Sequence, residues 1–402
     1  MRICWVNPYM EIEPTSAGRI QTLNLVRGLA KRGHEVHLIA HGHPTDLVEG
    51  SLHLRFLKSD FLRNYLLRGI RSLRHFWRGS LGLYYYLDAL LPYPRIQSEV
   101  KRLLGQGDFD LIHVDHLFLG RHVSRIAKEL GLPMVLTTHN VESLLAEQTL
   151  KELSVNGWLL KVALDRIRKT EHESTSLADN VVSVSQSDCD DIESWGVNRE
   201  KLSVIPLGIN FPAEVPFPKG KKVIFVGSNF DPNRFALEYI LREIAPEVPD
   251  ASFEIVGSVC EHAKGMNVPK NVKLVGRVSQ EELYRIYGEA AIALAPLTVG
   301  SGLKMKLLDY LAWGRPTIAT KVAVQGLAEL RDGVDLVIEE NIEGFPLRIK
   351  QLLRDDEMMA RLHRNSREVA RKYSFKNVVE SYENLLKTMV QRGRETGQRV
   401  SR

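Results

Sequence analysis

The residues best placed to do chemistry lie in one short run, Gly300-Ser301-Gly302-Leu303-Lys304-Met305-Lys306-Leu307-Leu308-Asp309. Leu307, Leu308 and Leu311 recur at helical spacing, and Gly314-Arg315-Pro316 stops the run, so a helix is expected just after Gly302. Glycines ahead of a helix let its backbone amides approach a bulky anion. Lys304 and Lys306 fall in the opening turns, where the helix dipole disfavours cations, and no acid follows until Asp309. Two readings stand. A bound phosphate or diphosphate makes the placement favourable, or the two lysines are simply solvated on an exposed helix end. His139 follows an apolar run at 134–137. It could hydrogen-bond a substrate hydroxyl, or be satisfied by nearby backbone. A third candidate is the small, polar loop at 13–19. Its Ala17, Gly18 and Arg19 either present amides to a ligand at a helix start or form an ordinary strand–helix turn.

These groups need elements to hold them. Aliphatic runs at 3–6, 36–40, 111–114, 134–137, 181–184 and 202–205 alternate with longer helical stretches. The pattern restarts at 223–226, 252–256, 272–275, 292–295, 317–320 and 336–338. The runs lack interspersed polar residues, which suits parallel strands covered on both faces. The expectation is an α/β protein with two doubly wound sheets, one per domain, whose strand ends face a ligand cleft. Pro206, Pro212, Pro216 and Pro218 with Gly208 and Gly220 break the pattern between them; this reads as a semi-rigid linker. In the first helix Ile20, Leu23, Val26 and Ala30 share a face, and Gly33 ends it. A last helix carries the stripe Val378, Val379, Tyr382, Leu385, Leu386 and Met389. Beyond it, residues 391–402 are polar, basic and expected to fray.

The 402 residues are 44% hydrophobic and 26% charged, a balance that excludes a disordered chain and fits two globular domains. Cys4, Cys189 and Cys260 are too far apart for a zinc knuckle or a redox pair, so a reducing compartment is expected. No apolar run is long enough to cross a bilayer, and the first ten residues read as a strand rather than a signal peptide. The net charge of +5 would suit phosphorylated ligands, an anionic membrane or nucleic acid, but no nucleic-acid module is recognisable. Residues 61–80 hold five arginines and no acid, opposite a stripe of Leu62, Leu66, Ile70, Leu73 and Trp77. Such a helix either lies in the headgroups of an anionic membrane or packs its stripe on the sheet. Asp188, Asp190 and Asp191 read as the start of a helix rather than as metal ligands.

The stretch from Pro296 to Leu327 resembles the donor segment of glycosyltransferase family four, retaining enzymes of the GT-B fold. Other pieces follow in the family's order: Ala30 to Val36, Thr138-His139-Asn140-Val141-Glu142, Ser183-Val184-Ser185, Val204 to Ile209, and Phe225-Val226-Gly227-Ser228-Asn229 with Pro232-Asn233. The resemblance spans nearly the whole chain. It implies two Rossmann-like domains facing a cleft. The acceptor-binding domain would be 1–206, 207–220 a linker, 221–374 the donor domain, and 375–402 a helix crossing back to the first. It implies sugar transfer, with retention, from a nucleotide-diphosphate sugar as co-substrate to a glycan or glycolipid. No metal or other cofactor would be needed, since protein cations and helix dipoles neutralise the diphosphate.

Residue by residue, the resemblance assigns donor binding to Gly227, Ser228, Asn229, Arg234, Gly300, Gly302, Leu303, Lys306 and Asp309. It gives catalytic roles to His139, Lys304 and Ser301, with Glu142 as a weaker candidate. The chain departs from the family twice. Glu-x7-Glu becomes Ser301-x7-Asp309, and the phosphate-gripping Arg and Lys become Ser228 and Asn233. The positive charge must then come from Lys304, Lys306 and Arg234. The expected location is the cytoplasm, with peripheral contact to the inner membrane face through 61–80; the oligomeric state is open. The rival readings are a sugar-nucleotide epimerase on the same fold and a non-catalytic sugar-nucleotide-binding protein.

Overall fold

The computed structural model describes residues 1–12, 17–59, 93–152, 158–300, 303–327 and 329–395. Ser301, Gly302 and the arginine-rich stretch 61–80 therefore lie outside the described residues. The chain divides into two compact units, Met1–Pro206 with Val378–Arg402, and Leu207–Asn377.

Unit 1 is built on eight strands: β1 (Arg2–Tyr9), β2 (Glu35–His41), β3 (Thr45–Glu49), β4 (Leu52–Leu57), β5 (Leu111–Asp115), β6 (Met134–Thr138), β7 (Asn180–Ser183) and β8 (Leu202–Val204). Their order is β3-β4-β2-β1-β5-β6-β7-β8. All neighbours are parallel except the β3–β4 hairpin, where Gly50 adopts φ 62°. The helices are α1 (Ala17–Lys31), α2 (Pro94–Leu104), α3 (Leu117–Glu129), α4 (Glu142–Glu152), α5 (Trp158–Leu177) and α6 (Gln186–Ser194). The doubly covered strands are those whose sequence is continuously apolar. Ile3 to Val6 and Leu111 to Val114 are almost wholly buried. In α1 the buried face is Leu23, Val26 and Leu29 rather than the expected stripe, since Ile20 is exposed. In α6 the cap is Ser185, whose hydroxyl accepts from the Asp188 amide at 3.2 Å; Asp188 lies in the first turn.

Unit 2 holds β9 (Lys222–Val226), β10 (Ser252–Val256), β11 (Val272–Gly276), β12 (Ile292–Ala295), β13 (Thr317–Ala319) and β14 (Val337–Ile338) in the order β11-β10-β9-β12-β13-β14, all parallel. Around them lie α7 (Asp231–Tyr239), α8 (Gln280–Glu289), α9 (Met305–Ala312), the single turn α10 (Lys321–Val324), α11 (Phe345–Leu352) and α12 (Asp356–Ala370). The proline-rich segment after 206 is tied to this unit. Ile209 donates to the Tyr373 carbonyl at 2.8 Å and accepts from the Phe375 amide at 3.0 Å. The buried Arg315 guanidinium donates to the carbonyls of Trp313 and Ala290, both at 2.8 Å, and of Pro216. A cation with no acidic partner among the described residues survives there because carbonyl dipoles surround it. Burial still pulls its pKa down to about 10.

The last helix, α13 (Phe375–Glu395), runs further than the sequence suggested. From Val378 onward it belongs to unit 1. Its Glu383 accepts from Arg32 at 2.5 Å and His34 at 3.0 Å, its Tyr382 hydroxyl meets Thr137 at 3.1 Å, and Arg394 reaches Asp110 at 3.1 Å. The helix thus continues through 391–395, where composition alone suggests fraying, and Arg394 ties that end to β5's approach; residues 396–402 lie outside the described residues. In each sheet the central strand, β1 or β9, has the chain winding away on both sides. That switch point opens a crevice beyond the strand's carboxyl end.

Helix α13 approaches α1 closely enough to need a glycine. A Cβ on Gly28 would lie 2.6 Å from a Val379 methyl. Gly28→Ala should therefore cost about 1–3 kcal/mol in urea denaturation, despite alanine's better helix propensity. In a Val379→Ala background the cost should largely vanish. Equal costs in both backgrounds would contradict this packing.

Candidate functional site

Two constellations occupy the two switch points. In unit 2, β9 ends at Val226, and Gly227-Ser228-Asn229 leads into α7. A side chain on Gly227 would be tight, since a Cβ would sit 3.1 Å from that of Asn233. Asn233 donates to the Ser228 carbonyl at 3.0 Å and to its hydroxyl at 3.2 Å, which leaves its Oδ1 for another donor. That donor is the Lys306 ammonium, at 2.5 Å. The ammonium also stands 4.2 Å from the centre of the Phe225 ring. The two positions where the family's basic pair is replaced, Ser228 and Asn233, thus converge on Lys306. Lys304 occupies the N-cap of α9. Gly300 adopts φ 140°, and a Cβ there would meet the Lys304 side chain at 3.1 Å. Among the described residues no acid lies beside the half-buried Lys306. Burial, reinforced by the charge of Lys304, brings its pKa down to about 7.

Asp309 lies one turn along α9. Burial pushes its carboxyl up to about 7, against the opposing influence of the Tyr287 hydroxyl. Leu303 is buried, and the Tyr310 hydroxyl accepts from the Val226 amide at 2.9 Å. Arg234 has its charge already engaged, donating to Asp231 at 2.5 Å and to the Asn229 side chain at 2.6 Å. It steadies the loop more than it offers a cation. The structure therefore brings together Gly227, Ser228, Asn229 and Arg234 around α7, and joins them to α9 through Lys306.

In unit 1 the centre is Asp115, at the carboxyl end of β5. Its Oδ2 accepts from Trp5 at 3.4 Å, from Asn7 at 3.0 Å and from the Thr22 hydroxyl; its Oδ1 meets His139 Nε2 at 2.7 Å. Burial disfavours the Asp115 carboxylate, yet the His139 charge and these hydrogen bonds outweigh it and hold the group strongly acidic. Burial also works against a protonated His139, and again the Asp115 charge wins, so the imidazole pKa is raised. His139 is thus better suited to donate hydrogen bonds as a cation than to act as a base. Gly18 lies against the other face of the group: a Cβ built there would be 3.9 Å from His139 Nδ1. Ala17 opens α1, while Arg19 turns to Glu11 at 3.3 Å and to the Tyr9 ring.

Sequence reasoning missed Asp115, whose partners are up to 110 residues away. It also missed His116, at φ 95° in the turn between β5 and α3, 3.4 Å from Glu142. Glu171 of α5 accepts from the Ser143 amide at 3.2 Å, and burial pushes that carboxyl up to about 8. The Asp115–Thr22–Asn7 set carried no local motif; only the apolar ends of β1 and β5 hinted that polar residues there are special.

Comparison with known proteins decides the family. A model described as Glycosyltransferase Family 4 matches residues 19–211, and one described as Glycosyl transferases group 1 matches residues 220–355. The chain belongs to glycosyltransferase family 4. This transferase is 24% identical to a phosphatidyl-myo-inositol mannosyltransferase of Mycolicibacterium smegmatis, over 90% of this chain and 86% of that one. Its fold resembles sucrose-phosphate synthase from Thermosynechococcus elongatus with TM-score 0.75 at 16% identity, covering 97% and 99% of the two chains. It resembles HepE of Anabaena, solved with UDP-glucose, with TM-score 0.65 at 13% identity, covering 96% and 100%. The two sheets are those of the GT-B fold. Among the described residues no helix of the transferase is long and apolar enough to cross a membrane.

The Asp115–His139 pair makes a sign-specific prediction. A raised histidine pKa adds stability that is complete below the ordinary imidazole value and is lost as pH rises through the folded value. Asp115→Asn leaves burial as the dominant influence on His139. Its titration midpoint, followed by histidine-selective NMR, should then drop below that of the wild type. The variant should also lose about 3–5 kcal/mol of stability, the usual cost of breaking a buried pair. An unmoved midpoint would refute the pairing.

Proposed function

We propose that the transferase takes its sugar from a nucleotide-diphosphate donor bound at the β9/β12 switch point of unit 2. The observation that carries this reading is the Lys306 ammonium, partly stripped of water and facing, among the described residues, a neutral amide and a ring face. A diphosphate supplies the negative charge that this arrangement lacks. Lys304 and the first amides of α9 add to the same field. Asp309 receives the ribose hydroxyls. The UDP and UDP-glucose bound by the solved neighbours support a nucleotide sugar of this class.

In the proposed reaction the bond from the sugar's anomeric carbon to the diphosphate oxygen breaks and the acceptor oxygen bonds to the same carbon. The acceptor's proton leaves with the departing diphosphate. Charge grows on that leaving oxygen, and Lys306 and Lys304 stabilise it there. No metal ion is assigned a part, so transfer should persist in a chelator. Retention of configuration rests on the family resemblance and is read directly from the anomeric NMR signal of the product.

We assign acceptor recognition to unit 1, with the His139 imidazolium and the Gly18 turn orienting hydroxyls or phosphate. The phosphatidyl-myo-inositol mannosyltransferases among the relatives support a glycan or lipid-linked acceptor. The arginines of 61–80 are the proposed contact with an anionic inner membrane face.

The test is Lys306→Met. Losing a charged hydrogen bond to phosphate should weaken binding of the best ligand in a UDP-, GDP-, ADP- and dTDP-sugar panel by about 10–100-fold. Transfer should fall at least as far. Unchanged affinity in a folded variant would overturn the assignment.

A further inference from the structure

Away from both switch points, three metal-ligating side chains gather near the amino ends of β2 and β4 in the unit 1 sheet. Glu35 and His37 are two residues apart on β2 and so project to the same face. His53 of β4 stands directly beside His37 in the parallel register. Glu35 Oε1 is 2.7 Å from His37 Nε2 and 3.9 Å from His53 Nε2. One ligand atom from each of the three lies within 4.8 Å of the others. An ion held tetrahedrally at ~2.0–2.1 Å separates its ligands by about 3.3 Å, a value bracketed by these distances.

We propose that Glu35, His37 and His53 form a binding site for one divalent ion of the zinc type, clipping β2 to β4. The donor set is two imidazoles and a carboxylate, which suits zinc, nickel or copper far better than calcium or magnesium. The His37 side chain is 12% exposed and that of His53 36%, so solvent can deliver an ion and His53 can turn. A turn is required. The two rings are stacked at 4.2 Å with only 3° between their planes, and an ion must lie in the plane of each imidazole it binds. The stack is the metal-free arrangement, and His53 tips out of it on binding.

The surroundings limit the affinity and fix its orientation. Arg2 donates to Glu35 Oε1 at 2.9 Å, so the carboxylate is shared between a guanidinium and the ion. Arg2 itself is held over the Phe109 ring at 4.7 Å, and Phe109 also meets His37 edge-on at 5.1 Å. These contacts set the His37 ring before the ion arrives. The ion would join strands at an edge of the sheet that closes on an exposed hairpin, where β3 carries exposed Leu47 and Val48. The site takes no part in sugar transfer; its contribution is to hold β4, and with it the edge strand β3, against β2.

The experiment is calorimetric titration of the chelator-treated full chain with Zn²⁺. The wild type should take up one ion per chain at this site, and its unfolding midpoint should rise. His53→Gln should weaken that uptake by more than the ~10–100-fold lost when only a ligand's neighbour is removed. His37→Gln with His53→Gln should abolish both uptake and midpoint shift. Should the double variant fail to fold, His53→Gln alone decides the matter, because that side chain is the most accessible of the two imidazoles. Wild-type protein that binds no Zn²⁺, or folded variants that bind it equally well, would overturn the site.

Discussion

A lysine ammonium with no acid beside it among the described residues, set between an amide oxygen and a phenyl face, is the interaction on which the proposed donor site turns. Removing an ammonium from water costs several kcal/mol unless an opposite charge compensates it. Asn233 Oδ1 and the Phe225 ring compensate only in part, as the pKa near 7 records. The neighbourhood is shaped around this incomplete balance. Gly227 leaves space for Asn233, Gly257 at φ 102° packs against the Gly227 carbonyl, and Gly300 lets Lys304 fold back. A side chain at these glycines would press on Asn233, on the Gly227 backbone or on Lys304 in turn.

Unit 1 solves its electrostatics in the opposite way. Asp115 and His139 compensate each other within the fold, and Thr22, Asn7 and Trp5 fill the remaining capacity of the carboxylate. A pre-paired site of this kind gains little net charge interaction from an anion but holds its hydrogen-bond donors in fixed positions. Beneath it, Trp5 stacks on His113 at 3.5 Å, and burial keeps that imidazole neutral, with its pKa down to about 3. Rigidity in one unit and unmet charge in the other suit the proposed division between orienting an acceptor and gripping a leaving group.

How much of this was legible in the sequence depended on range. Continuous apolar runs such as 111–114 and 223–226 became buried parallel strands because two-sided burial leaves a mark on every residue. The hairpin β3–β4 left none: β3 is mostly exposed, and β4 alternates, with Leu52, Leu54 and Phe56 inward. The lysines of α9 were readable because a helix start without acids is a local anomaly. The link from Lys306 to Asn233 was not, since the two lie 73 positions apart. His139 stood out by its loop, whereas Asp115, which sets its charge, looked like an ordinary strand end. Arg234 seemed a free cation until Asp231 was found beside it.

The most direct test of the central claim counts protons. A diphosphate that pairs with Lys306 must draw its pKa upward, so binding at pH 7.5 should take a proton from solution, a signal visible as a dependence of binding heat on buffer ionisation enthalpy. Ionisation of Asp309 against ribose works the other way, so the quantity to compare is wild type minus Lys306→Met. The account requires that difference to be a net uptake of a fraction of one proton. No difference, or a net release, would contradict it.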